Sequence, residues 1–110
     1  MTTWSVTFLP EADREIRELD KAMQSQVRKG IRRVASNPLP VSEGGYGKPL
    51  RNGGKAKLSG LCKIKFRDIG VRVVYKAIRV DRQMVIVVVG VRSDDEVYRI
   101  ADARRARYGL

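Results

Sequence analysis

Three apolar segments lie almost end to end in the second half of the chain. Residues 61–67 (LCKIKFR), 71–78 (VRVVYKAI) and 84–91 (MVIVVVGV) are rich in β-branched and aromatic side chains, and only Asp68-Ile69-Gly70 and residues 79–83 separate them. Strands joined by connections this short must run back alongside one another, so an antiparallel meander is predicted. The third segment is apolar at consecutive positions, which marks a strand covered on both faces and central in the sheet. The rest of the chain has to pack around this unit.

Ahead of it, Trp4 to Leu9 (WSVTFL) reads as a short strand, and Pro10 suits the first turn of a helix, where a missing N–H costs nothing. Ala12, Ile16, Leu19, Met23, Val27, Ile31 and Val34 recur at steps of three and four and form an apolar stripe to about Ser36. The stripe fits one helix or a helical hairpin broken near Asp20, and Asn37-Pro38-Leu39-Pro40 ends it. Residues 41–60 hold six of the ten glycines and no periodic apolar pattern, as expected of a long basic loop. Behind the meander, Ser93-Asp94-Asp95-Glu96 has the S-x-x-E form of a capping box, and Val97, Ile100, Ala101 and Arg104 continue at helical spacing. The 110 residues are therefore expected to form one domain, 1–110, of α+β class. Its antiparallel (mixed) sheet has about four strands, with an N-terminal helix or helical hairpin and a C-terminal helix.

The charge narrows the function. Lys and Arg number 23 against 12 Asp and Glu, a formal +11, well beyond what solubility requires, and a polyanion such as nucleic acid is the expected partner. Between Gly44 and Val80 there are ten basic residues and one acid, Asp68, so the field is local. Residues 11–20, by contrast, mix both signs as a solvated helix face does. No run reaches membrane-span length and the start has no secretory pattern, so a soluble, cytoplasmic protein is expected. A single cysteine, Cys62, cannot form an intramolecular disulfide, which fits a reducing compartment. The chain has no histidine, so it offers a structural zinc site essentially no ligands and has no His-dependent triad.

In CKIKFR, Cys62, Ile64 and Phe66 alternate with Lys63, Lys65 and Arg67, which places three cations on one face of one strand. An edge strand defended by lysines would look the same. The turn at 68–70 brings Arg72 near Lys65 and Arg67, however, and like charges on adjacent strands destabilise a sheet. A bound anion explains their retention better. Arg92 stands at the sheet rim before the helix cap, where a plain strand-end arginine is the simpler reading. Tyr98 could be a core tyrosine or a platform for a base, and Tyr75 reads as core. Asp94, Asp95 and Glu96 could hold Mg²⁺, but capping and the helix dipole account for them more simply.

These residues, in this order, resemble a known family. LCKIKFRDIGVRVVYKAI, VIVVVGVR and DDEVYRIADARR are similar to the RelE branch of the RelE/ParE toxin superfamily, whose RelE members are bacterial type II toxins that cleave mRNA in the ribosomal A site. The resemblance extends over nearly the whole chain and implies a RelE-like fold. It also implies that Lys63 and Lys65 match the family's active-site lysines, Arg72 and Arg92 its arginines, and Tyr98 the tyrosine of the last helix. Where the family usually has Gly-Lys-Arg, this chain has Gly90-Val91-Arg92, and its glycine-rich loop is longer. The implied partners are mRNA on the ribosome, with ribosomal RNA at the A site, and a cognate antitoxin; no membrane, metal or cofactor is implied.

Cleavage by the 2′-hydroxyl needs a base, charge stabilisation at phosphorus and help for the 5′-oxygen, and basic side chains can supply all three. A lysine crowded by Arg67, Arg72 and another lysine has its ammonium form disfavoured, which leaves some neutral amine to act as base. On this expectation Lys65 is the base, Arg72 and Lys63 stabilise the transition state, Arg92 binds phosphate and assists the leaving group, and Tyr98 stacks on a base. The products would be a 2′,3′-cyclic phosphate and a 5′-hydroxyl. Lys48, Arg51, Lys55, Lys57 and Arg67, with Arg104, Arg105 and Arg107 near the end, are expected RNA or ribosome contacts. Two other readings fit the composition: a ParE-like toxin that inhibits gyrase, and an RNA- or ribosome-binding module without catalysis.

Overall fold

The computed structural model describes residues 3–50 and 60–110. Strand β1 (Ser5–Phe8) leads into helix α1 (Pro10–Glu18), which has Pro10 in its first turn. Helix α2 (Lys21–Ala35) follows, and the Asp20 carboxylate caps it by accepting from the Met23 N–H at 2.9 Å. The apolar stripe therefore belongs to a helical hairpin, broken where Leu19 turns to extended backbone. Ala12, Ile16, Val27, Ile31 and Val34 of the stripe are buried, while Leu19 and Met23 at the bend are only partly covered.

A two-residue strand β2 (Lys48–Pro49) precedes the predicted meander of β3 (Leu61–Phe66), β4 (Val71–Ile78) and β5 (Gln83–Gly90), and helix α3 (Asp94–Tyr108) closes the chain. The sheet order is β1-β5-β4-β3-β2, with β1 parallel to β5 and every other pair antiparallel. The sheet thus has five strands: the loop predicted over 41–60 contributes a short edge strand that no apolar alternation announces. β5 lies inside the sheet, and Met84 through Val89 are all buried, as its continuous apolar run requires.

The hairpin packs through α1 on β5 and through α2 on β1 and β3, while α3 packs on β4 and β5. Gly30 lets α2 approach the sheet: a Cβ there would lie 2.4 Å from the Phe66 ring of β3, inside any real contact distance. Tyr75 is fully buried, as expected, and its hydroxyl donates to the Pro38 carbonyl at 2.8 Å, tying the end of the hairpin to the sheet. Burial pushes the Tyr75 phenol and the Cys62 thiol upward, so both are neutral core groups. α3 starts at the predicted cap, with Ser93 accepting from the Glu96 N–H at 3.4 Å, and ends where Gly109 takes φ 68°.

Candidate nucleic-acid interface and active site

The site is assembled by register. Lys63 pairs across with Lys48 of β2, and Lys65 pairs with Arg72 of β4. Directly opposite residues share a face, so Lys48, Lys63, Lys65 and Arg72 all project from one side of the sheet. The alternation that puts them there sends Cys62, Ile64 and Phe66 to the other side, where Phe66 meets Gly30 of α2.

Helix α3 supplies the other half. Asp94, its first residue, reaches the paired strand cations: its Oδ2 accepts from Lys65 Nζ at 2.8 Å and its Oδ1 from Arg72 Nε. Arg72 Nη1 donates to the Arg92 carbonyl at 2.8 Å, so one guanidinium holds the strand to the segment entering α3. The Lys65 ammonium first, then the Arg72 guanidinium, hold the Asp94 carboxyl below its ordinary value, against a desolvation that acts in the opposite sense. All three side chains are 28–38% exposed, so the cluster faces water.

Tyr98 stands one turn along α3 from Asp94. The Lys63 ammonium lies over its ring at 5.9 Å from the centroid. Its hydroxyl is buried, with no hydrogen-bond partner among the described residues, and burial raises its pKa above the usual tyrosine value. Arg92 is exposed at the rim, and its guanidinium reaches Glu96 at 3.8 Å rather than Asp94. Arg67 is exposed just past β3 and joins Lys65 and Arg72 in lining a small hollow of about 140 Å³.

Of the residues singled out by sequence, the fold gathers Lys63, Lys65, Arg72 and Tyr98, sets Arg92 at the margin, and adds Lys48 through the β2 pairing. Arg51, Lys55 and Lys57 lie outside the described residues. Arg104 sits elsewhere. Its guanidinium forms a two-pronged pair with Glu15 of α1 at 2.7 and 2.9 Å and also donates to the Val87 carbonyl at 3.0 Å. It is only 14% exposed, so the role of surface contact expected for it does not suit its environment. Arg105 pairs with Asp102 at 3.0 Å, and Arg107 with Glu11 at 2.8 Å.

The expected crowding of cations around Lys65 is relieved by Asp94. Its carboxylate lies between the Lys65 ammonium and the Arg72 guanidinium, so the two strand cations do not face one another unscreened. Asp94 belongs to the site, although its place in a capping sequence explained it without one. A second basic surface also went unmarked in the sequence reading. α2 carries Lys21, Arg28, Lys29, Arg32 and Arg33 and no acid, and Lys21, Gln24, Ser25, Arg28 and Arg32 line a shallow depression of about 370 Å³. Counting charge along the helix, rather than only in the glycine-rich half, would have found it.

A five-stranded mixed sheet with a helical hairpin on one side, and a cationic patch beneath a C-terminal helix, is an architecture found among small bacterial toxins of solved structure. A double mutant of the Escherichia coli toxin RelE in the free state is similar with a TM-score of 0.75 and 27% identity, over 94% of this chain and 98% of that one. A chain of the toxin-antitoxin complex RelBE2 from Mycobacterium tuberculosis is similar with a TM-score of 0.65 and 25% identity, over 86% of this chain and 97% of that one. No family model matches the sequence. A RelE-like toxin protein of Escherichia coli is 37% identical over 106 residues, 92% of this chain and 96% of the relative. On that identity and coverage, the chain belongs to the RelE-like toxin family.

Proposed function

We propose that the protein is the toxin of a type II toxin-antitoxin system and acts as a ribosome-dependent mRNA endoribonuclease in the A site. The observation that carries this reading is the convergence of Lys63, Lys65 and Arg72 on one sheet face beside Tyr98 of α3. A phosphodiester bound there meets two ammonium groups and a guanidinium, the donors needed to stabilise charge developing on a pentavalent phosphorus. The paired cations serve this role without a metal. Tyr98, partly exposed one turn along α3, offers its ring to a base. Arg92, exposed and, among the described residues, held only by the long contact to Glu96, can swing onto the phosphate and assist the leaving oxygen.

Lys48, Arg67 and the basic face of α2 then serve as phosphate contacts to ribosomal RNA, and the ribosome positions the substrate. Each phosphate neutralised should steepen the loss of binding with salt, by roughly 0.7 in log–log slope on single strands. A cognate antitoxin would cover the same face with acidic or helical chain; the similarity to RelE chains solved with an antitoxin supports that partner.

The test is primer extension on an mRNA in a purified translation system, with and without ribosomes, comparing wild type with Arg92→Ala. New 5′ ends within A-site codons that require ribosomes and vanish in the variant are expected. Ends absent under all conditions would favour a binding toxin, and a supercoiling assay with gyrase would then decide whether it acts as ParE-like toxins do.

A further inference from the structure

We propose that the Asp94 carboxylate is an internal stand-in for the substrate's phosphodiester: it occupies the anion site between Lys65 and Arg72, and RNA binds there by replacing it. The inference rests on the reading of this face as an RNA site and names the group that must leave for that site to fill.

Both Asp94 oxygens are engaged, one by the Lys65 ammonium and the other by the Arg72 Nε–H. A phosphodiester also presents two non-bridging oxygens that share one negative charge, so it can take over both contacts with no change in net charge. The contacts are accessible to such an exchange, since every partner is partly open to water. Helix α3 does not depend on the carboxylate: Ser93 supplies the cap, and Asp95 and Glu96 keep negative charge in its first turn.

What surrounds Asp94 is arranged for a longer ligand than a carboxylate. One turn along the helix, Tyr98 has its ring against Lys63 and a buried hydroxyl that no described group satisfies. A nucleotide whose phosphate sits at the Asp94 position has the partly exposed Tyr98 side chain one helical turn along from it.

The test uses the full chain and a single-stranded oligoribonucleotide methylated at every 2′-oxygen, which can bind but has no nucleophile. Fluorescence anisotropy compares wild type with Asp94→Asn and Asp95→Asn; Asp95 is exposed on the same helical turn and its substitution makes the same change in net charge. Asp94→Asn is expected to bind about three- to tenfold tighter, the scale of one partly exposed charge contact, and Asp95→Asn less than about twofold tighter. Equal tightening by both variants, or none by Asp94→Asn, would overturn the proposal while leaving RNA binding in place. If the oligonucleotide binds no form of the free protein, the ribosome must present the substrate, and the primer-extension comparison alone decides the RNA reading. The stand-in is then judged with inorganic phosphate, which must shift the Arg72 Nε–H resonance at lower concentration in Asp94→Asn than in wild type; identical titrations refute it. Circular dichroism checks the fold, and Asp94→Ser, which keeps a short polar side chain there, repeats the comparison should the asparagine variant unfold.

Discussion

Two carboxylates in this basic protein are each held by an arginine, and they are held for different purposes. Glu15 and Arg104 form a closed unit where β5 runs on past the end of β1: Glu15 accepts from the Val89 N–H at 3.1 Å and Arg104 donates to the Val87 carbonyl. β1 pairs only as far as Ile86, so the two side chains complete the hydrogen bonding of a strand edge that has lost its neighbour. Among the described residues, Asp94 makes no hydrogen bond to the backbone of the sheet. It is shared by Lys65 and Arg72, carries one charge against two, and is more open to water than Glu15. The first arrangement satisfies the fold, and the second leaves positive charge to spare. A contact that closes its own hydrogen bonding belongs to the architecture; one that leaves a cation in excess marks a place for another anion.

The largest expected effect breaks the first arrangement. Glu15→Ala strands a poorly exposed guanidinium and a backbone N–H, and should cost about 2–3 kcal/mol and lower Tm by on the order of 10 °C. Asp94→Ala should change stability by less than about 1 kcal/mol, because exposed pairs contribute little. Thermal denaturation of both variants measures the contrast, and equal losses would erase the distinction drawn between the two carboxylates.

Tyr98→Phe sharpens the comparison from the other side. Removing a buried hydroxyl that has no partner among the described residues should leave stability unchanged or raise it by up to about 1 kcal/mol, while the proposed ribosome-dependent cleavage falls. A destabilised variant with full activity would return Tyr98 to the core.

The smallest effect lies in acid. The folded state holds the Asp94 carboxyl below its ordinary value, chiefly through Lys65, so its contribution to stability is complete above about pH 4 and is lost as pH falls through the depressed value. Glu11, lowered first by the Tyr108 hydroxyl, and Glu43, lowered by Arg79, act in the same direction. Tm measured from pH 5 to 2.5 should fall in wild type and slightly less in Asp94→Asn. A steeper fall in the variant would contradict the sign.

Much of the meander was legible because turn length decides strand direction: three residues at 68–70 and five at 79–83 leave no room for a crossover. The capping sequence at Ser93 and the proline at position 10 likewise act within a few residues of themselves. Short-range alternation was enough to place Lys63 and Lys65 on one face, and the family resemblance added Arg92 and Tyr98 as candidates; Arg67 falls just past the end of β3.

Other features rest on contacts that no local pattern encodes. Arg104 looks like one more arginine in a basic tail until the fold brings Glu15 to it from 89 residues away. Asp94 satisfies every local requirement of a helix start, and only the packing of α3 on β4 turns it toward Lys65 and Arg72. Lys48 joins the cationic face because a two-residue strand pairs with β3, and Asp20 proved a cap because the hairpin could fold back across β1 and β3. The sequence by itself determined most of the elements, though not β2 or the choice between one helix and a hairpin, together with the antiparallel meander and the positive strand face, since these follow from periodicity, turn length and charge counted along the chain. The tertiary structure decided which charges neutralise one another and which remain, because electrostatic pairing depends on distance through space and on exposure to water.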